Sequence, residues 1–418
     1  MRPVTPRGFR DVLPQEAEER DGMTRAMTAA MAAWGYGRVE TPTLEEYSTL
    51  EAGAGASLET TAFRLFDGDG RLLAMRPEMT VPIARMVATR YENAGGPHRF
   101  SYISRVYREQ DSMRGQSREF TQVGLELIGA GGPRADAEVV AVLAASLRTT
   151  GFDGFVIGIG IAGVLRALIA AAGMSAEWGG DVMNAAHDRD LVGIDRLASA
   201  PGVEPAAAAA LREVPGIRGG REAIAKCREA TAGCDVGPAL DALEETWGLL
   251  EISGVAECVS VDFGIMRSFD YYTGMVLEVY APGLGLPIGG GGRYDDVLAR
   301  YGAPAPAAGF AIGLERLHIA LAEQGKTIPG TRLDAVLGGP SRAAFAAARA
   351  LREAGWSVVL EGDDRIRTLA TAERLGAYEA LYADDAGIVR LDSSAEKALP
   401  LGDPVPSAPS AASKGVDA

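Results

Sequence analysis

The sequence predicts an α+β chain with a small α/β piece near its C-terminal end, and three observations carry that expectation. The stretch Arg118–Ile128 (REFTQVGLELI) alternates, so that Arg118, Phe120, Gln122, Gly124 and Glu126 share one strand face and Val123, Leu125 and Leu127 the other. Met23, Met27, Met31 and Trp34 recur at spacings of four and three, which is one face of a helix. From about Met174 to Ser253 the chain is Ala-rich and turn-punctuated without a strand pattern, and it reads as an inserted helical subdomain.

The elements follow in order. After Pro14 a helix over Glu16–Trp34 is stopped by Gly35. A short strand around Val39 ends at Pro42, and Phe63–Arg76 reads as a hairpin turning at Asp67-Gly68-Asp69-Gly70. Thr80 is placed to cap a helix reaching Tyr91, with Pro82 tolerated in its first turn. Strands over Arg99–Arg108 and Arg118–Ile128 flank the polar loop Glu109–Ser117. A helix over Ala135–Thr150, a strand over Phe155–Ile159 and a helix over Val164–Ala172 precede the insertion. Strands resume at Cys258–Phe263 and Tyr271–Tyr280, a Gly-rich loop spans Gly289–Gly292, and Ala308–Glu323 runs from strand into helix. Residues 334–392 form a βαβ-like piece: Ala335–Gly338, Arg342–Ala354 and Ser357–Glu361. In 393–418, 15 of 26 residues are Ser, Ala or Pro, too little apolar surface to order a tail.

Composition narrows the function classes. Of 418 residues 47% are apolar, enough for a sizeable core. The 41 Lys and Arg stand against 56 Asp and Glu, a net charge of −15 that opposes a broad nucleic-acid face but leaves room for a local basic pocket. Three cysteines (Cys227, Cys234, Cys258) without a CxxC pair argue against a disulfide framework or a zinc site. His98, His187 and His318 show no ligand spacing, and no metal or cofactor is expected. The uncharged stretch Gly154–Leu165 is too short to span a bilayer, and the N-terminal MRPVTPRGFRDVLPQE has no apolar signal core, so a cytoplasmic chain is expected.

The polar face of 118–128 is, taken alone, a half-solvated sheet surface. Other groups are placed to join it: Arg76-Pro77-Glu78 and Arg108 at strand ends, and Met266–Tyr272 (MRSFDYY) opening another strand. Arginines suit carboxylate or phosphate and carboxylates suit an ammonium or ring N–H, so their convergence would make a site for a zwitterion or nucleotide. Gly289–Gly292 lacks the trailing Lys-Ser/Thr of a phosphate-binding loop and reads locally as a tight turn. Glu315-Arg316 reads as a pair on a helix surface.

With MRPEMT (75–80), Arg108, REFTQVGLELIG (118–129), MRSFDYYTG (266–274), GGRYD (291–295) and GFAIGLERL (309–317) in that order, the chain resembles a histidyl-tRNA synthetase catalytic core over about residues 5–325. The resemblance implies a class II aminoacyl-tRNA synthetase-like fold: an antiparallel sheet flanked by helices, with a helical insertion, normally dimeric. It places Glu78, Thr80 and Gln122 near a histidine α-amino group, Glu126 and Tyr272 near its imidazole, and Arg267 at its carboxylate, with Tyr271 in the same motif. Arg108 and Arg316 match the arginines that hold ATP phosphates.

Departures from that pattern are concentrated in the nucleotide half. A nucleotide-binding Glu is Gln110, one Arg is Asp111 and another is Gln116, so cations needed where charge develops in adenylation are missing. From 334 to 418 nine basic residues face thirteen acidic ones, the wrong balance for gripping an anticodon. These features, with RPEMT followed by a Pro-Ile-Ala-Arg helix, are similar to those of the ATP phosphoribosyltransferase regulatory subunits, a paralogous family. The resemblance implies a subunit with no catalysis of its own, self-dimerising within a hetero-oligomer, that makes the short-form ATP phosphoribosyltransferase catalytic subunit active and sensitive to L-histidine, without tRNA or membrane partners. Arg108 and Arg316 would then be a vestigial nucleotide site. The domains expected are 1–325 as core, with the insertion at about 174–253, then 334–392 as a truncated α/β domain and 393–418 as a disordered tail. A divergent synthetase and a stand-alone amino-acid ligase are the competing readings, and both require adenylate formation.

Overall fold

The computed structural model describes residues 4–55, 57–91, 94–110, 117–265, 272–326, 333–392 and 398–400. The chain divides into two compact units, Met1–Ile328 and Pro329–Ala418.

The first unit opens with helix α1 (Pro14–Ala33), started by Pro14 in its first turn. Met23, Met27 and Met31 on its inner face are all but fully buried. The two-residue strand β1 (Gly37–Arg38) follows. A small three-stranded sheet pairs β2 (Leu44–Glu46) with β4 (Leu72–Met75), and β4 with β3 (Arg64–Phe66). Helices α2 (Tyr47–Ala54) and α3 (Ser57–Thr61) lie between β2 and β3 in the chain. The expected hairpin is β3–β4, and its turn is closed by the Asp67 carboxylate accepting the N–H groups of Asp69 and Arg71.

Helix α4 (Thr80–Arg90) leads to the long antiparallel pair β5 (His98–Tyr107) and β6 (Glu119–Ile128). Then come α5 (Gly132–Arg148), β7 (Val156–Ile161) and α6 (Ala162–Ala171). The insertion holds α7 (Ala176–His187), α8 (Leu191–Ala198), α9 (Pro205–Glu213), α10 (Arg221–Ala230) and α11 (Gly237–Ile252). It also contributes a two-residue strand, β8 (Arg218–Gly219), which the sequence pattern had not announced. The unit ends with β9 (Val259–Asp262), β10 (Met275–Tyr280), β11 (Gly289–Arg293), β12 (Ala307–Gly313) and α12 (Leu314–Glu323).

Nine strands make one sheet in the order β1-β5-β6-β12-β11-β10-β7-β9-β8. The pairings are antiparallel except β1 with β5 and β7 with β9. Val123, Leu125 and Leu127 face a core shared with the α1 methionines and with Val140, Leu143 and Leu147 of α5. The opposite face packs Tyr102 and Val106 of β5 against Met79, Ile83 and Ala84 at α4.

The Gly289–Gly292 segment departs from expectation, being an interior strand rather than a turn. Gly291 pairs with Phe310 and Gly289 with Ile312. A Cβ on Gly291 would run into the Gly309 carbonyl and lie 2.6 Å from the Phe310 Cα. The facing backbone is so close that glycine is the residue that fits.

The second unit has the sheet order β14-β13-β15-β16-β17. Parallel strands β13 (Ala335–Gly338), β14 (Val358–Leu360) and β15 (Glu379–Asp384) alternate with helices α13 (Ser341–Glu353) and α14 (Arg365–Leu375). Antiparallel β16 (Gly387–Leu391) and β17 (Ala398–Pro400) complete the sheet. Strand β17 lies inside the stretch expected to be an unordered tail, because the β16 edge offers it backbone partners. Residues 401–418 lie outside the described residues. Among the described residues no helix is long and apolar enough to cross a membrane.

Candidate functional site

On the sheet face away from α1, a cleft of about 880 Å³ opens over β6, β12, β11 and the start of α4. Glu78, Thr80, Gln122, Tyr272, Arg108 and Arg316 all line it, so residues spread over more than two hundred positions meet at one place. The expected Arg267 and Tyr271, like Asp111 and Gln116, lie outside the described residues.

Glu78 stands just before α4, where free backbone N–H groups attract an anion. Its carboxylate accepts from the N–H of Thr80 (2.6 Å) and of Val81 (2.9 Å). The cap expected from Thr80 is therefore supplied by Glu78, and Thr80 is the helix's first residue. Burial raises the Glu78 pKa above the ordinary value, while these N–H groups and the Arg108 charge oppose the rise.

That leaves the Thr80 hydroxyl free to donate inward to Glu126 Oε1 (2.9 Å). Glu126 is only 1% exposed and sits behind Thr80. Tyr102 OH reaches its Oε1 at 3.5 Å, and Tyr294 donates to its Oε2. Burial, reinforced by the neighbouring Glu78, pushes the Glu126 pKa up to about 8 against the three hydroxyls that favour its charged form. Gly309, opposite Glu126 in the register, has no side chain because a Cβ there would collide with Glu126 Oε2.

Gln122 is four residues before Glu126 on the same strand face, as alternation requires. It is buried, and its Oε1 has no hydrogen-bond partner among the described residues. A buried amide oxygen left bare on a cleft wall is a group awaiting a donor.

The outer half of the cleft is cationic. The Arg108 guanidinium lies over the Phe120 ring, 5.2 Å from its centroid, and its Nε donates to the Pro77 carbonyl (2.8 Å). Arg316 at the start of α12 donates to the Pro287 carbonyl (2.6 Å). Gln110 folds back to donate to the Ser117 carbonyl (2.7 Å).

Three expectations are corrected by this geometry. Arg76 is buried away from the cleft, its guanidinium donating to the carbonyls of Arg105, Thr41 and Pro42. Arg118 is not among the residues lining the cleft and lies over the Phe63 ring and against Glu109. Glu315 does not pair with Arg316; it accepts the Thr121 N–H at 3.0 Å and holds Arg20 of α1, because adjacent helix positions do not face each other.

Tyr102, Tyr294 and the glycine floor are the site residues that sequence reasoning missed. A signal for Tyr102 existed: it pairs across the sheet with Gly124, the small residue between Gln122 and Glu126.

Comparison with known proteins identifies the family and the fold. The family model described as histidyl-tRNA synthetase matches residues 8–317. The chain is 39% identical to the ATP phosphoribosyltransferase regulatory subunit of Moorella thermoacetica, across 88% of this chain and 94% of that one. It is 38% identical to the protein of the same name from Symbiobacterium thermophilum, across 90% and 95%. A crystal structure from Bacillus halodurans, described as an ATP phosphoribosyltransferase regulatory subunit/histidyl-tRNA synthetase, superposes with a TM-score of 0.78 at 33% identity, across 86% of this chain and 92% of that one. The histidyl-tRNA synthetase of Nostoc, at 20% identity and a TM-score of 0.78 across 96% of both chains, shares the fold.

Proposed function

This chain belongs to the ATP phosphoribosyltransferase regulatory subunit family, built on the histidyl-tRNA synthetase fold, and from that premise we propose that it is a regulatory, non-catalytic subunit of an ATP phosphoribosyltransferase in histidine biosynthesis. It assembles with the short-form catalytic subunit as a self-dimer within a hetero-oligomer, activates it, and makes it sensitive to L-histidine in the cytoplasm, without tRNA or membrane.

The observation that carries the ligand assignment is the bare, buried Gln122 Oε1 in a cleft that Glu78 also lines. Together they are an acceptor pair for an α-ammonium group, with Thr80 adjoining. The imidazole belongs deeper, toward Tyr272 and Glu126. With its pKa raised to about 8, Glu126 can donate to an imidazole nitrogen, or accept from a ring N–H once ionised. Arg267 is assigned to the carboxylate and Tyr271 to the adjoining wall on the resemblance of their motif. Histidine acts by binding one of two arrangements of the complex more tightly, and that difference is all the coupling it needs.

Absence of catalysis rests on the nucleotide half. Arg108 and Arg316 remain and are the vestige of a phosphate site, but Gln110, Asp111 and Gln116 replace one anionic and two cationic groups. Adenylation would lack charge where its transition state needs it.

The test is the activity of the short catalytic subunit with and without this chain, over a histidine titration. Activation by the chain that histidine then reverses is the expected outcome. No effect on that activity, with histidine-dependent exchange of pyrophosphate into ATP by this chain alone, would replace the proposal by a synthetase. The family model's own description and the retained Arg108 and Arg316 are what favour that second reading.

A further inference from the structure

Where the helical insertion meets the sheet there is a second hollow, with about 620 Å³ of space that includes its opening to solvent. Its walls are apolar: Leu165 and Leu168 of α6, Ile194 of α8, Leu211 of α9, and Phe263 just after β9. Leu191, 57% exposed, and its neighbour Val192, 80% exposed, extend an apolar lip. Among the described residues the only charged side chains lining the hollow are two arginines, Arg189 and Arg218.

Arg189 occupies an unusual backbone position. Its φ of 54° makes it the one non-glycine residue in the left-handed region among the described residues. It terminates α7, with its N–H donating to the Ala186 carbonyl (3.2 Å) and the next N–H, of Asp190, to the Ala185 carbonyl (2.8 Å). Glycine is the usual occupant of such a helix end, since a Cβ there costs about 1 kcal/mol or more. An arginine standing in this strained backbone conformation points to a use for its side chain.

Both guanidiniums have donors to spare. Arg189 bonds Glu278 (2.9 Å) and the Tyr280 hydroxyl (3.0 Å) through Nη2, and its Nε and Nη1 make no hydrogen bond among the described residues. Arg218 stands 3.5 Å from the Asp262 carboxylate and makes no hydrogen bond among the described residues. An apolar hollow with two such forks suits a molecule with a greasy body and one anionic, planar head.

We propose that this hollow binds a small amphipathic carboxylate, its aliphatic or aromatic body among Leu165, Leu168, Ile194, Leu211 and Phe263 and its head held by Arg189 and Arg218. The site is separate from the cleft over β6 and does not depend on what that cleft binds.

Calorimetric titration of the full chain with octanoate and with 1-octanol, which share a tail and differ in charge, tests it. Octanoate is expected to bind about tenfold or more tighter than 1-octanol, the size of one charge-assisted hydrogen bond. Arg218→Gln, at a side chain 66% exposed and so harmless to folding, is expected to shrink that difference about threefold or more with Arg189 still in place, while Arg316→Gln in the other cleft leaves it intact. Equal binding of the two ligands, absence of octanoate binding at millimolar concentration, or a loss caused by Arg316→Gln rather than Arg218→Gln would each overturn the proposal.

Discussion

At Gln122 the chain carries a buried acceptor without a donor, and leaving such a group unpaired costs roughly 1–3 kcal/mol. Replacing it with a side chain of similar size and no polar atoms removes that cost together with the contact proposed for the histidine ammonium group. Gln122→Leu is therefore expected to keep or raise the thermal midpoint while histidine affinity, measured by calorimetry, falls about tenfold or more. A parallel loss of both would mean that Gln122 holds the fold rather than the ligand. Glu126 offers a pH test. Its folded pKa of about 8 lies above the ordinary 4.5, so across that window the folded chain keeps a proton that the unfolded chain has released. Stability from this group is fully present below the lower value and is lost as pH rises through the upper one. Thermal melts from about pH 4 to about pH 9 should show that decline, and Glu126→Gln, which cannot ionise, should flatten it (the pH limits bracket 4.5 and about 8).

Among the elements, β11 is the most sensitive to a single methyl group. Gly291→Ala drives a Cβ into the Gly309 backbone and is expected to cost about 3 kcal/mol or more in urea unfolding, whereas Gly285→Ala, with nothing within 4 Å, should stay within about 0.5 kcal/mol. Strand β6 was legible in the sequence because one of its faces is buried and the other polar, so a period of two is written into Gln122 through Leu127. Strand β11 was not, since four glycines carry no periodicity and are locally a turn signal; only pairing with β12 makes them a strand. The cap of α4 was missed by two residues for a related reason: Thr80 is the better cap by residue type, yet Glu78 reaches two N–H groups. Alternation placed Glu126 on the correct face but could not tell its depth, which is set by Tyr102, Tyr294 and Thr80 arriving from other elements.

For the whole molecule, charge decides which macromolecules it meets. Its net −15, with nine basic against thirteen acidic residues over 334–418, provides little to release counterions from a polynucleotide. Gel-retention titration with tRNA at low salt is expected to show no complex, and retention there would restore the synthetase reading. Fold class, helical insertion and the meeting of 78, 80, 122 and 272 could be anticipated from motif order; the second hollow could not, because no local pattern links Leu165, Leu211 and Phe263. The floor of the first cleft, in contrast, consists largely of peptide groups, with Gly289, Gly290, Gly291 and Gly309 presenting no side chains. A surface of that kind cannot be edited one residue at a time, since each substitution such as Gly291→Ala is paid in folding before it is felt in recognition. Relatives of this chain that respond to another effector should therefore differ at the rim, around 78–80, 122 and 272, over a floor that stays glycine.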